Sequence, residues 1–123
     1  MRAVKSQNTA PEKFVRSLLH TLGFRYRLHR KDLPGKPDIV FPARGKVIFV
    51  HGCFWHGHTC RRGARTPKHN ADYWIAKIER NRVRDKTNVE KLRNEGWQVL
   101  MIWECEIGNR EILANRLTDF LLS

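Results

Sequence analysis

The chain has 123 residues, 41% of them hydrophobic, and carries 24 Lys and Arg against 12 Asp and Glu, for a formal net charge of +12. Such a length and composition suffice for one modest core, so the sequence predicts a single domain over residues 1–123. The positive charge favours a polyanionic partner, nucleic acid first and an anionic membrane second. No apolar run approaches the roughly 18 residues of a membrane-spanning helix, and the N-terminus lacks a secretory signal, so we expect a cytoplasmic protein.

The first predicted element is a helix from about Ala10 to Leu22. Thr9 and Glu12 have the spacing of a capping box, with Pro11 in the first turn, and Gly23 ends the helix. Its expected buried side chains are Phe14, Val15, Leu18, Leu19 and Leu22.

The strands follow in two groups. A strand with a basic outer face is predicted over Phe24 to Leu28, where apolar and basic residues alternate. Two further strands, Asp38 to Phe41 and Lys46 to His51, flank the turn residues 42–45 and are predicted to form a hairpin.

The C-terminal half adds two helices and one strand. Asn70 is expected to cap a long helix over residues 71–94, residues 97–103 form a short apolar strand, and residues 109–122 form an amphipathic helix. The order α-β-β-β-α-β-α is typical of an α/β layered domain with a mixed sheet.

The hairpin places one carboxylate beside the end of the next strand. With the turn at residues 42–45, Asp38 lies near Val50 and projects on the same face as His51. A carboxylate, a backbone carbonyl and a histidine make an oxygen-rich pocket that suits Mg²⁺. The alternative is an aspartate that merely begins a strand after Pro37.

The long predicted helix carries two charges on an otherwise apolar stripe. Charged groups on a buried stripe are costly unless they pair or serve a site. Arg82 and Asp85 therefore form a buried pair, or Asp85 orients a catalytic histidine. Glu12 is a weaker candidate, because the capping box already accounts for it. The stripe consists of Ile75, Ile78, Arg82, Asp85, Val89 and Leu92.

Residues 51–60, HGCFWHGHTC, combine the side chains of a metal site, a catalytic centre and a base-stacking surface. Together with PGKPDIVF, DYWIAKIERNRVRD and LRNEGWQVLMIWEC, this block closely resembles the very-short-patch repair (Vsr) endonucleases of bacteria, over about residues 1–105. The resemblance implies a restriction-endonuclease-like αβββαβ core, related to the PD-(D/E)xK nucleases, with a mixed central sheet and helices on both sides. It also implies that most of the family's DNA-clasping N-terminal arm is missing.

The implied activity is Mg²⁺-dependent nicking of double-stranded DNA. The family recognises T:G mismatches left by deamination of 5-methylcytosine and cuts on the 5′ side of the mispaired thymine, which initiates very-short-patch repair. A monomer associated with the bacterial nucleoid is expected.

The resemblance also implies a role for each matching residue. Asp38 and the carbonyl of Val50 become Mg²⁺ ligands. The implied catalytic set adds two histidines, a supporting acid and a further acid: His51, His56, Asp85 and Glu12. The implied ligands of a structural Zn²⁺ are Cys53, His58, Cys60 and Cys105. The implied aromatics that enter the base stack are Phe54, Trp55 and Trp74.

Three other functions are compatible with parts of this pattern. A non-catalytic, zinc-stabilised DNA-binding domain explains the charge, the cysteines and the aromatics, but it does not account for Asp38 and His51. A zinc hydrolase needs an open metal position, whereas four available ligands favour a closed site. A Vsr-like nuclease with a different target, such as one associated with a restriction system, stays open.

Overall fold

A computed structural model describes residues 9–52 and 70–123. Over these ranges the chain has the predicted α-β-β-β-α-β-α order and a mixed α/β fold. Short 3₁₀ turns lie at Pro42–Arg44 and Glu104–Glu106. No helix within the described ranges has both the length and the apolar character that a membrane crossing requires. The elements are α1 (Ala10–Thr21), β1 (Arg27–Leu28), β2 (Ile39–Phe41), β3 (Lys46–His51), α2 (Ala71–Asn94), β4 (Gln98–Trp103) and α3 (Arg110–Leu122).

The four strands form one sheet in the order β1-β2-β3-β4. β2 pairs antiparallel with β1 and β3, whereas β3 and β4 are parallel. The hairpin register is the predicted one, with Ile39 opposite Ile48 and Phe41 opposite Lys46. Gly45 closes the hairpin at φ 66°, a left-handed conformation that glycine adopts without strain.

Helices cover both faces of this sheet, because its central strands are apolar on both sides. On one face, α1 and α3 pack through Leu18, Leu19 and Leu117 against β2, β3 and β4. On the other face, α2 contributes Leu92 to a smaller cluster with Phe49. The sheet thus lies between two layers of helices, and the candidate site lies near the end of β3 at His51.

Several local predictions are wrong at the ends of elements. Leu22 is 37% exposed rather than buried. The first strand is confined to Arg27–Leu28 instead of starting at Phe24. The N–H of Phe24 donates to the carbonyl of Leu19, so Phe24 belongs to the end of α1 rather than to the strand. Asn70 precedes α2 in a left-handed conformation, and its side chain makes no capping hydrogen bond.

The predicted stripe on α2 is buried only near its C-terminal end. Val89 and Leu92 are buried, whereas Ile75 is 55% exposed. The side chain of Arg82 is 54% exposed and its guanidinium lies 3.8 Å from Glu79. A buried Arg82–Asp85 pair is therefore excluded.

Lys46 is a buried charge that the sequence did not predict. Its side chain reaches the C-terminal end of α3, where Nζ donates to the carbonyls of Phe120 and Ser123, the latter at 2.9 Å. A helix C-terminus carries partial negative charge and unpaired carbonyls, so a cation is well placed there. This contact fastens α3 to the start of β3.

Candidate active site

The hairpin presents Asp38 to the end of β3. The N–H of Val50 donates to Asp38 Oδ2 at 2.7 Å. Asp38 directly precedes β2, and the antiparallel register brings it alongside Val50. The predicted proximity of Asp38 to Val50 is therefore confirmed, and it is the N–H of Val50 that makes the contact.

Glu12 reaches the same place from α1. It is 1% exposed, and its Oε2 accepts hydrogen bonds from Arg16 at 3.2 Å and from His29 at 2.8 Å. Thr9 caps the helix by accepting from the N–H of Glu12, so the capping pattern is also present. A buried carboxylate bonded to two nitrogen donors goes beyond what a helix cap requires, which strengthens Glu12 as a site residue.

His29 belongs to this cluster, and the sequence reasoning missed it. It follows β1, its N–H donates to the carbonyl of Asp38 at 3.1 Å, and its Nε2 contacts Glu12. The only available signal was that a third antiparallel strand before the hairpin would bring residue 29 beside Asp38. That pairing is non-local, so no motif in the sequence marks it.

Burial changes the ionisation of Asp38. The pKa of Asp38 is raised from 3.8 to about 7, chiefly by loss of solvent and further by the nearby Glu12 carboxylate, while the Val50 N–H acts to lower it. Two carboxylates so close together and poorly solvated repel each other unless a proton or a cation lies between them. The pair therefore has the electrostatics of a cation site.

The two carboxylates of this cluster fit a divalent metal, with His29 beside them. One oxygen from Glu12, one from Asp38 and one ring nitrogen from His29 all lie within 4.8 Å of one another. Carboxylate oxygens are the ligands that Mg²⁺ prefers, and it keeps several waters in addition. A divalent cation held there would neutralise charge on a bound phosphate.

His51 ends β3 and is held by aromatic rings. It is 5% exposed, and its ring centroid lies 5.5 Å from that of Phe49 and 5.2 Å from that of Trp103. Packing on two sides fixes the orientation of the imidazole. His51 follows Val50, whose N–H donates to Asp38. The histidine is therefore one residue further along the chain than the contact with the acidic cluster.

The predicted residues on α2 lie on its partly buried side. Asp85 and Trp74 are both half-buried. Trp74 sits in the first turn of the helix with its ring 5.0 Å from that of the exposed Tyr73. The helix thus offers an aromatic pair near its N-terminus, as a base-stacking role requires.

Of the remaining predicted site residues, Cys105 alone lies within the described ranges. Cys105 is exposed on the 3₁₀ turn that follows β4. The parallel register sets His51 opposite Trp103, so Cys105 lies at the sheet edge where β3 ends. The other proposed zinc ligands, together with Phe54, Trp55 and His56, lie outside the described residues; those ligands are Cys53, His58 and Cys60.

A basic groove lies beside β1 and the hairpin turn. It has a volume of about 810 Å³, and its lining includes Phe24 and Tyr26. Four of the lining side chains are basic and exposed: His20, Arg25, Arg27 and Arg44. Arginines beside aromatic rings suit a phosphate backbone.

The sequence of the chain matches known DNA-cutting enzymes. Residues 1–62 match the protein family described as DNA mismatch endonuclease Vsr. The chain is 58% identical over 121 residues to the type II nicking enzyme V.XorIIP of Xanthomonas oryzae pv. oryzae, which covers 98% of this chain and 88% of that relative.

Two further relatives align over nearly the whole chain. The type II nicking enzyme V.NmeAIP of Neisseria meningitidis is 45% identical over 117 residues, covering 95% of this chain and 83% of that relative. The DNA mismatch endonuclease Vsr of Escherichia coli K12 is 41% identical over 123 residues, covering 100% of this chain and 76% of that relative. The aligned stretches include the acidic cluster around Asp38.

Proposed function

The chain belongs to the Vsr family and is a DNA endonuclease, and from this premise we propose that it nicks one strand of duplex DNA at T:G mismatches, on the 5′ side of the mispaired thymine, in a Mg²⁺-dependent reaction. The observation that carries the proposal is the pair formed by the buried Glu12 and the half-buried Asp38 at the end of the hairpin. A DNA-binding domain without catalysis has no use for two adjacent carboxylates that are largely withdrawn from solvent.

The residues divide the work of phosphodiester hydrolysis. Asp38 and Glu12, with the carbonyl of Val50, would hold Mg²⁺, and the bound ion would supply charge neutralisation at the scissile phosphate. One histidine of the pair His51 and His56 accepts the proton of the attacking water, and the other donates to the leaving oxygen. Asp85 supports these histidines. The packing of His51 between Phe49 and Trp103 keeps its ring in one orientation.

A structural zinc site is also part of the proposal. We assign Cys53, His58, Cys60 and Cys105 as ligands of one structural Zn²⁺, a closed tetrahedral set. The exposure of Cys105 at the edge where β3 ends supports its availability as a ligand. Phe54, Trp55 and Trp74 then enter the base stack beside the mismatch, where a T:G step is cheaper to open than a matched pair.

The test is a nicking assay on matched, T:G and hemimethylated duplexes with Asp38→Ala and Asp32→Ala. Asp32 is a matched control because its carboxylate is exposed and pairs with Arg30. We expect Asp38→Ala to bind DNA like the parent chain, since phosphate contacts by Lys and Arg supply most of the affinity, and to lose nicking. Cutting by Asp38→Ala at the parent rate in Mg²⁺ would contradict the site.

A second candidate function keeps the chemistry and changes the target. Two of the relatives above are named type II nicking enzymes, which favours a T:G substrate in a particular flanking sequence rather than a general one. A panel of T:G duplexes with varied flanks distinguishes the two. Equal rates across the panel argue against a sequence-restricted nickase.

A further inference from the structure

His29 makes two hydrogen bonds that tie together the two acids of the site. Its ring Nε2 lies 2.8 Å from Glu12 Oε2, and its backbone N–H donates to the carbonyl of Asp38 at 3.1 Å. We propose that His29 is a positioning residue that fixes the Glu12 carboxylate relative to Asp38 and so sets how tightly the pair binds a divalent cation. This inference rests on the proposed role of the two acids in holding that cation.

The two acids belong to different elements, so a contact between those elements helps to set their separation. Glu12 lies on α1, whereas Asp38 precedes β2 of the hairpin. The contact from Arg16 comes from the same helix, one turn further on. It orients Glu12 from within α1. His29 follows β1, which pairs with β2 of the hairpin. The contact of its ring with Glu12 therefore fixes that part of α1 relative to the hairpin.

The backbone of His29 is held in an unusual conformation that supports this role. Its φ is 50°, in the left-handed region that is uncommon for residues other than glycine. Such conformations are energetically unfavourable for residues other than glycine and persist where the surroundings impose them. Here the N–H is bonded to the Asp38 carbonyl while the ring contacts α1, so the turn satisfies both bonds at once.

Burial makes the contact between His29 and Glu12 effective. The Glu12 side chain is 1% exposed and that of His29 is 16% exposed. A hydrogen bond to a carboxylate is stronger where water is excluded. Outer-shell partners of metal-binding groups commonly change metal affinity by about 10–100-fold when they are removed. We expect a change in cation affinity of the same size when the ring of His29 is removed.

The experiment compares donors of matched reach at position 29. Mn²⁺ binding to the zinc-loaded chain, without DNA, is measured by electron paramagnetic resonance for the parent, His29→Ala and His29→Gln. The glutamine amide places an N–H donor at the same number of bonds from Cβ as histidine Nε2. We expect a Kd for Mn²⁺ at least about 10-fold weaker in His29→Ala, with most of the loss restored by His29→Gln.

Two controls separate positioning from folding. Ser17→Ala changes an exposed side chain of α1 outside the basic groove and should leave Mn²⁺ binding unchanged. His29→Met fills a similar volume without a donor and replaces the alanine variant if truncation unfolds the chain. All binding is measured well below each variant's melting temperature. A structural role alone would lower the melting temperature without separating His29→Gln from His29→Met.

The outcomes also separate this inference from the proposed function. Parent-like Mn²⁺ binding by His29→Ala, or equal losses in His29→Gln and His29→Met, would overturn the role of His29. In either case, loss of Mn²⁺ binding and nicking in Asp38→Ala would leave the proposed cation site standing. Normal nicking by Asp38→Ala would instead remove the cation site itself, and this inference with it.

Discussion

Asp38 links the protonation of a single residue to the stability of the fold. Its pKa is 3.8 in an ordinary setting and about 7 when folded, chiefly because burial disfavours the charged carboxylate. Between these pH values the folded chain holds a proton that the unfolded chain has released. The Asp38 contribution to stability is therefore complete below about pH 4 and is lost as the pH rises through about 7.

Asp38→Asn should remove this dependence. The amide oxygen can still accept from the Val50 N–H, and no charge is buried at high pH. Without added divalent cations, we expect the variant to melt at a higher temperature than the parent at pH 8, with the difference shrinking toward pH 4. Each tenfold change in an ionisation constant corresponds to about 1.4 kcal/mol, so the gain at pH 8 is on the order of a few kcal/mol.

Adding Mg²⁺ should reverse the ranking at pH 8. The parent chain gains stability by binding the cation in its folded form, whereas Asp38→Asn has lost an anionic ligand. Asp119→Asn, which removes an exposed carboxylate on α3, serves as the control. Thermal melting from pH 4 to pH 8 measures all three proteins. In the absence of divalent cations, a parent chain that is no less stable at pH 8 than Asp38→Asn would contradict the effect of burial on the Asp38 pKa.

At the scale of the element, Lys46 decides how α3 is attached. Its ammonium group satisfies carbonyls at the end of that helix and lies over the Phe120 ring at 5.3 Å. We expect Lys46→Met to lower the free energy of unfolding by about 2 kcal/mol, since buried carbonyls lose their donor. Lys86→Met, an exposed change on α2, should have little effect. Urea denaturation measures both, and equal midpoints would show that the contact contributes nothing.

The element β1 and the turn before it carry the basic groove. If Arg25 and Arg27 each neutralise a DNA phosphate, Arg25→Ala with Arg27→Ala should reduce the slope of log affinity against log salt by about 2. The loss should be the same for matched and T:G duplexes, because phosphates carry no sequence information. Lys91→Ala with Arg93→Ala, on the exposed end of α2, is the control pair. An unchanged slope would place the DNA backbone elsewhere.

Local signals predicted the elements well, and non-local packing accounts for the misses. The hairpin register followed from turn length and alternation, and Asp38 was placed correctly beside Val50 for that reason. The shortened first strand and the exposure of Ile75 depend on where α1 ends and how far the sheet extends under α2. His29 depends on the pairing of β1 with β2, which no local pattern fixes.

At the scale of the whole molecule, the site is assembled from distant parts of the chain. Glu12 comes from the first helix, His29 follows the first strand, and Asp38 precedes the second strand. The residues proposed for zinc binding and base stacking stand out in the sequence because most of them lie within residues 51–60. The closeness of Glu12 to Asp38 could not be predicted from sequence, since it depends on how α1 packs across the sheet.

The proposed zinc site predicts a global effect of metal removal. Cys105→Ala should lose the bound zinc and lower the melting temperature, because structural zinc contributes on the order of 10 kcal/mol of apparent binding energy. Elemental analysis and melting of the parent and the variant test this. Full zinc content in Cys105→Ala would show that Cys105 is not a ligand.

The parallel pairing of β3 with β4 also has a consequence for how quickly the chain folds. Residues 52–97 must be spanned before His51 can lie opposite Trp103, and closing so long a loop is an entropic obstacle that slows folding. A zinc ion joining residues near position 53 to Cys105 would shorten that search by bridging the two ends of the crossover. Refolding from urea should therefore be slower in a chelator than with Zn²⁺, while unfolding rates change less if the bridge forms before the rate-limiting step. Equal refolding rates in stopped-flow fluorescence would mean that zinc joins only after the strands have met.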